Sequence, residues 1–90
     1  MNKADLVEKV ARDANITKKA AARAVDSIFD GIASSLQRGK RVTLVGFGSF
    51  EVRRRAPRRA RNPRTGTIIN VPAKRVPKFR PGAELRKKVK

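Results

Sequence analysis

The sequence predicts a single α+β domain: an N-terminal pair of helices, a three-stranded antiparallel sheet extended into a long β-ribbon arm, and a short C-terminal helix. Three observations carry that expectation. Apolar residues recur at helical spacing as far as Leu36 and switch to alternation from Val42 onward. Residues 53–75 hold nine Lys/Arg and no Asp or Glu, around a turn-forming Asn62-Pro63 followed by Thr65-Gly66. Finally, the segments left outside that ribbon carry more apolar surface than so small a body can cover, which predicts a core shared between two copies.

Each element can be justified in turn. Asn2 is placed to cap a first helix over residues 3–14, with Asp5 in its first turn where negative charge suits the helix dipole. Leu6, Val7, Val10, Ala11 and Ala14 form its apolar stripe, and Asn15 suits its end. Thr17 can cap a second helix whose apolar residues are Ala21, Val25, Ile28, Phe29, Ile32, Ala33 and Leu36. Gly39 follows as a C-terminal stop. That stripe covers more than one side of the helix and needs more than one partner surface.

Val42 and Leu44, then Phe50 and Val52, alternate on either side of Gly46-Phe47-Gly48, which predicts a short hairpin with a glycine-permitted turn. Residues 49–56 lead out into the basic ribbon, and Ile68, Ile69 and Val71 support its return strand. Pro72 and Pro77 predict irregularity at the ribbon's base. Phe79 returns to the core, Pro81-Gly82 punctuates the chain, and residues 83–89 suit a short basic helix. The expected division is a dimerisation body, 1–52 and 76–90, and an arm, 53–75. A body of that size buries only about 60% of its unfolded surface, so folding and dimerisation are expected to be one event.

Composition excludes several classes of function. The formal net charge is +17, distributed as +3 over residues 1–52, +9 over 53–75 and +5 over 76–90. Such a chain is drawn to phosphate. It has no Cys, His, Trp or Tyr, so disulfides, thiol or imidazole metal sites and the usual nucleophile–base pairs cannot be built. Asp5, Glu8, Asp13, Asp26 and Asp30 lie in helical stretches typical of surface charge, without a clustered carboxylate motif. The reading is therefore non-enzymatic, with no cofactor and no small-molecule substrate. No apolar run reaches the length of a membrane span and the N-terminus is too charged for a signal peptide, so a cytoplasmic, nucleoid-associated protein is expected.

The ribbon fits double-stranded DNA as its partner. A run of like charges is ordinarily a solvated face, but an acid-free run of this length repels itself unless an anion faces it. Arg53, Arg55, Arg58, Arg59, Lys74 and Arg75 are the expected phosphate contacts, with Lys3, Lys18, Arg80, Arg86 and the terminal lysines as weaker flanking ones. Asn62-Pro63 alone reads as a turn former. Within this ribbon, Pro63 is a rigid apolar ring with no N–H, suited to wedge between base pairs of the minor groove. Arg61 and Arg64 flank it, and Asn62 can meet minor-groove acceptors, whose pattern is degenerate, so sequence preference should be weak. Phe47, Phe50 and Phe79 lie among apolar neighbours and are expected to pack in the core rather than stack on bases.

The segments Gly46-Phe47-Gly48-Ser49-Phe50-Glu51-Val52, Arg61-Asn62-Pro63-Arg64-Thr65-Gly66 and Pro77-Lys78-Phe79-Arg80-Pro81-Gly82 resemble the HU/IHF family of bacterial DNA-bending proteins. The likeness runs from Met1 to Lys90, with the generic HU branch closer than the site-specific IHF branch. The resemblance implies an intertwined homodimer, or a heterodimer with a related chain. Its two ribbon arms would reach around DNA and insert a tip proline, here Pro63, into the minor groove. The chain departs from the common pattern at Ala60, where many relatives have glycine, and in carrying Pro57 with Arg58 and Arg59. Ala83-Glu84 stands where relatives place a phosphate-binding lysine; that role is not carried over, and Arg80 and Arg86 are the candidates to compensate. The competing reading, an RNA-binding basic protein, is disfavoured by the lack of exposed aromatic residues for stacking on unpaired bases.

Overall fold

A computed structural model describes all residues, 1–90. Helix α1 spans Lys3–Ala14 and α2 spans Lys18–Gln37. Asn2 closes a capping box: its Oδ1 accepts from the Asp5 N–H at 3.0 Å, and Asp5 Oδ2 accepts from the Asn2 N–H at 2.9 Å. At the other end Asn15 adopts the left-handed conformation (φ 54°, ψ 50°), and the Ile16 N–H returns to the Ala11 carbonyl. Thr17 caps α2 through the Ala20 N–H at 3.0 Å. Gly39, at φ 74°, ends it, with Lys40 donating to the Ser35 carbonyl and Gly39 to that of Leu36. This bond pair is the Schellman pattern, and it requires the positive φ that glycine takes without cost.

Strand β1 (Val42–Leu44) turns back through Val45-Gly46-Phe47 into β2 (Gly48–Arg55). The Phe47 N–H donates to the Leu44 carbonyl at 3.0 Å, and Gly46 takes φ 85°. Beyond the body come β3 (Arg58–Arg61), β4 (Ile68–Val71), β5 (Lys74–Pro81) and helix α3 (Ala83–Val89). The order β1-β2-β5 makes an antiparallel three-stranded sheet, and β3-β4 a two-stranded one. Helix α1 packs along α2, and α2 meets β1 and β2.

The two sheets share one register. Arg55 pairs with Lys74, and after a two-residue gap on each strand Arg58 pairs with Val71. Extending the ladder sets Ala56 opposite Ala73 and Pro57 opposite Pro72. Two facing prolines can donate no ladder bond between them, so the ribbon is interrupted there without slipping. The irregularity expected at Pro77 is absent. Pro77 lies inside β5 opposite Val52, and β5 is an edge strand, where the lost N–H breaks no second ladder.

One chain encloses almost no core. Only Ala21, Val25 and Gly48 are buried. The phenylalanines do gather at the base of the ribbon, with ring centroids 4.9 Å apart for Phe50–Phe79 and 5.5 Å for Phe47–Phe79. Phe47 nevertheless remains 46% exposed, Phe79 42%, Phe29 48% and Ile28 57%. The accessible surface is 7829 Å², against about 5,200 Å² for a folded monomer of this size. The radius of gyration is 18.9 Å, where a compact domain of this length has about 12 Å. The projecting ribbon and the uncovered apolar face both contribute to these differences.

Candidate nucleic-acid interface

The constant register sorts the arm's cations by face, because directly opposed residues share a face and successive residues alternate. One face carries the opposed pairs Ser49–Arg80, Glu51–Lys78, Arg53–Val76, Arg55–Lys74, Arg59–Asn70 and Arg61–Ile68. Six predicted contacts, Arg53, Arg55, Arg59, Arg61, Lys74 and Arg80, therefore form one basic stripe running from the body to the tip. Lys78 belongs to the same stripe and sequence reading missed it, although its two-residue spacing from Arg80 was the signal. The other face carries Phe50–Phe79, Val52–Pro77, Arg54–Arg75, Arg58–Val71 and Ala60–Ile69. It continues the α2-packed face of the body, and Arg58 and Arg75 lie on it, away from the stripe.

The stripe's single acid is Glu51, the half-buried centre of a small ion cluster. Its Oε2 accepts from Arg41 Nη2 at 2.8 Å, and its Oε1 lies 3.5 Å from Arg53 Nε. The Arg41 hydrogen bond, reinforced by the positive charge of Arg80 and Arg53, holds the Glu51 carboxyl below the ordinary carboxylate range against a smaller opposing effect of desolvation. Glu51 thus stays ionised at neutral pH and offsets part of the stripe's positive charge where the ribbon leaves the body.

At the far end the chain reverses through Pro63-Arg64-Thr65-Gly66. The Asn62 N–H donates to the Thr67 carbonyl and the Gly66 N–H to that of Asn62, each at 2.8 Å. Gly66 takes φ 72°. Asn62 Oδ1 accepts from the Arg64 N–H at 2.9 Å, an Asx turn that leaves the side-chain NH₂ free to donate. Pro63 and Arg64 are exposed at the apex. With no N–H, Pro63 withholds nothing from the hairpin's bonding and presents only a ring.

The remaining predicted contacts are dispersed. Lys3 is ion-paired with Asp26 on α2, which raises its pKa chiefly through their hydrogen bond. Arg86 lies on α3, whose last turn also holds Lys87 and Lys88. Arg75 is committed within the fold: its Nη2 donates to the Gln37 carbonyl at 3.2 Å and the Leu36 carbonyl at 3.3 Å. No helix is long and apolar enough to cross a membrane.

The family model described as bacterial DNA-binding protein matches residues 1–90, the whole chain. The chain belongs to that family. Among its relatives, DNA-binding protein HU of Staphylococcus aureus (strain COL) is 52% identical over 90 residues, covering 100% of both chains. The HU protein of Geobacillus stearothermophilus is 49% identical with the same full coverage. Among solved structures, an Anabaena HU–DNA cocrystal structure superposes with a TM-score of 0.88 at 46% identity, covering 99% of this chain and 97% of that one. Within this bacterial DNA-binding family the likeness is to HU-named proteins, as the three motif segments implied. It includes the ribbon, since coverage is essentially complete on both sides.

Proposed function

We propose that this chain is an HU-type architectural protein. Two copies share one hydrophobic core, bind double-stranded DNA with little sequence preference, and bend and compact it. Residues 1–52 and 76–90 form the dimerisation body and 53–75 the DNA-binding arm. The observation that carries the reading is the basic stripe of Arg53, Arg55, Arg59, Arg61, Lys74 and Arg80, which leads to an apex presenting Pro63, on a fold matching an HU captured with DNA.

The division of labour follows from chemistry. Stripe cations neutralise phosphates along a groove, and releasing their counterions supplies most of the affinity. Lys78, Lys3, Arg86 and Arg58 extend contact to flanking DNA. At the apex Pro63 inserts between base pairs, at a cost of about a few kcal/mol of stacking, and the resulting bend brings more duplex against the basic body. Arg64 and the free Asn62 amide meet the minor-groove rim, where A·T and T·A pairs look alike, so the contact holds position more than it reads sequence. Placement in the nucleoid and the absence of catalysis follow from this role. The exposed Phe29, Phe47 and Phe79 support a homodimer, because water-exposed aromatics at the base of a small body need a second chain to cover them.

The test is a binding titration on random-sequence duplex DNA over a salt series. Engaging about six phosphates per protomer, about twelve for the dimer, gives a slope of log K against log[salt] of about −11. A duplex of any sequence should compete, and RNA should compete poorly. A shallow slope, strong selection of one sequence, or stronger competition by RNA contradicts the proposal.

A further inference from the structure

The arm root holds a like-charged pair. Arg54 and Arg75 are directly opposed on the face turned toward α2, an arrangement that destabilises a ribbon when nothing intervenes. No carboxylate lies against either guanidinium. The Arg54 side chain makes no hydrogen bond or ion pair, whereas that of Arg75 reaches across 38 residues of sequence to the last turn of α2 and donates one Nη2 toward two of its carbonyls. Both carbonyls lie at the negative end of the helix dipole; that of Leu36 also accepts from the Gly39 N–H, whereas Arg75 is the donor that reaches that of Gln37. Gly39, just beyond the helix end, lies beside this corner: a Cβ there would stand in ordinary contact with Arg75 Nη2, at 3.6 Å. Leu36, Gln37, Val52, Arg75 and Pro77 together line the cleft between helix and arm.

We propose that Arg75 is a positioning residue. It fastens the return strand of the arm to the C-terminus of α2 and so sets the angle at which the arm leaves the body. The DNA never touches it. The guanidinium suits this role because its fixed planar fork presents N–H donors to both carbonyls. This assignment rests on the DNA-bending reading only for its consequence, the presentation of the stripe and the Pro63 apex at a fixed angle.

The experiment exploits the absence of cysteine. Cysteines placed at Ser34 on α2 and Thr65 at the apex take spin labels, and labelled chains are assembled with an excess of unlabelled chain so that each distance is measured within one protomer. The variants are Arg75→Gln and, as a charge-matched control from the opposite strand, Arg54→Gln. Arg75→Gln should broaden the body-to-apex distance distribution in DNA-free protein while Arg54→Gln leaves it as in the parent. On random duplex, Arg75→Gln should keep the parent's salt slope. A distribution unchanged by Arg75→Gln, or broadened equally by Arg54→Gln, overturns the proposal. So does a slope reduced by about 0.9 per protomer, the signature of a lost phosphate contact. Circular dichroism verifies that the variants fold. The distance measurement needs no DNA, so a parent chain that failed to bind duplex would sink the functional reading and leave the Arg75 assignment to be judged separately.

Discussion

At the scale of single residues, Gly48 is the most tightly enclosed of the glycines. A Cβ there would meet the Arg80 carbonyl at 2.6 Å and the Phe79 ring at 2.8 Å, so hairpin, arm root and phenylalanine cluster converge on a site that only glycine fits. Gly48→Ala should therefore cost about 1–3 kcal/mol as overpacking. It would be measured as a lowered urea midpoint with unchanged m-value, and a midpoint equal to the parent's would show that the strand relaxes freely. The fate of individual cations was the least legible part of the sequence. Arg53 and Arg75 look alike in a charge run, yet one joins the stripe and the other bonds the carbonyls of α2. That choice depends on where the helix ends in space, 38 residues away in the chain. Lys3 likewise reads as free charge until α2 brings Asp26 beside it. The apex was legible because its chemistry is local: Asn62, Pro63 and Gly66 each take the backbone role their residue type favours.

At the scale of elements, helix boundaries were readable because caps are made by neighbours in sequence, as with Asn2, Thr17, Asn15 and Gly39. The ribbon was readable as a hairpin, and Pro72 marked one side of its break, but the matching part played by Pro57 and the harmlessness of Pro77 were not readable. Pro77 was expected to disturb it and sits harmlessly on an edge strand, while Pro57 and Pro72 interrupt it because the register places them face to face. Proline's effect on a sheet depends on which neighbour its missing N–H would have served, and only the strand order decides that. The break leaves β3–β4 as a short two-stranded ribbon with no third strand or helix behind it, and such ribbons are marginal in water. Amides of residues 58–71 should exchange rapidly in free protein and become protected on duplex DNA, while those of residues 48–53 stay protected throughout. Hydrogen-exchange mass spectrometry checks this. Equal protection of both segments in free protein would show that the distal ribbon is stable by itself.

At the scale of the whole molecule, the shortage of core and the excess of charge have one solution. In the proposed dimer, two copies cover each other's phenylalanines and hold two arms apart, and duplex DNA between the arms neutralises the stripes. The uncovered apolar face makes stability depend on concentration. The melting temperature should rise with protein concentration, and a concentration-independent melt at monomer mass would rule out a shared core. The need for a partner at this scale was legible through arithmetic, too many apolar residues and too many cations for ninety residues, whereas the way two chains would fit together depends on surfaces that alternation and helical spacing do not reveal. The central claim is that the arms bend DNA by inserting Pro63 once the stripe has anchored them. It is tested most directly by end-to-end FRET on a random-sequence duplex saturated with the parent chain or with Pro63→Ala. The account predicts a sharp bend with the parent and a clearly smaller one with Pro63→Ala, whose arginines still bind relaxed duplex with a modest loss of affinity and an unchanged salt slope. Equal bending by the two proteins would contradict it, making Pro63 a turn residue and phosphate neutralisation by the arm the sole source of the bend.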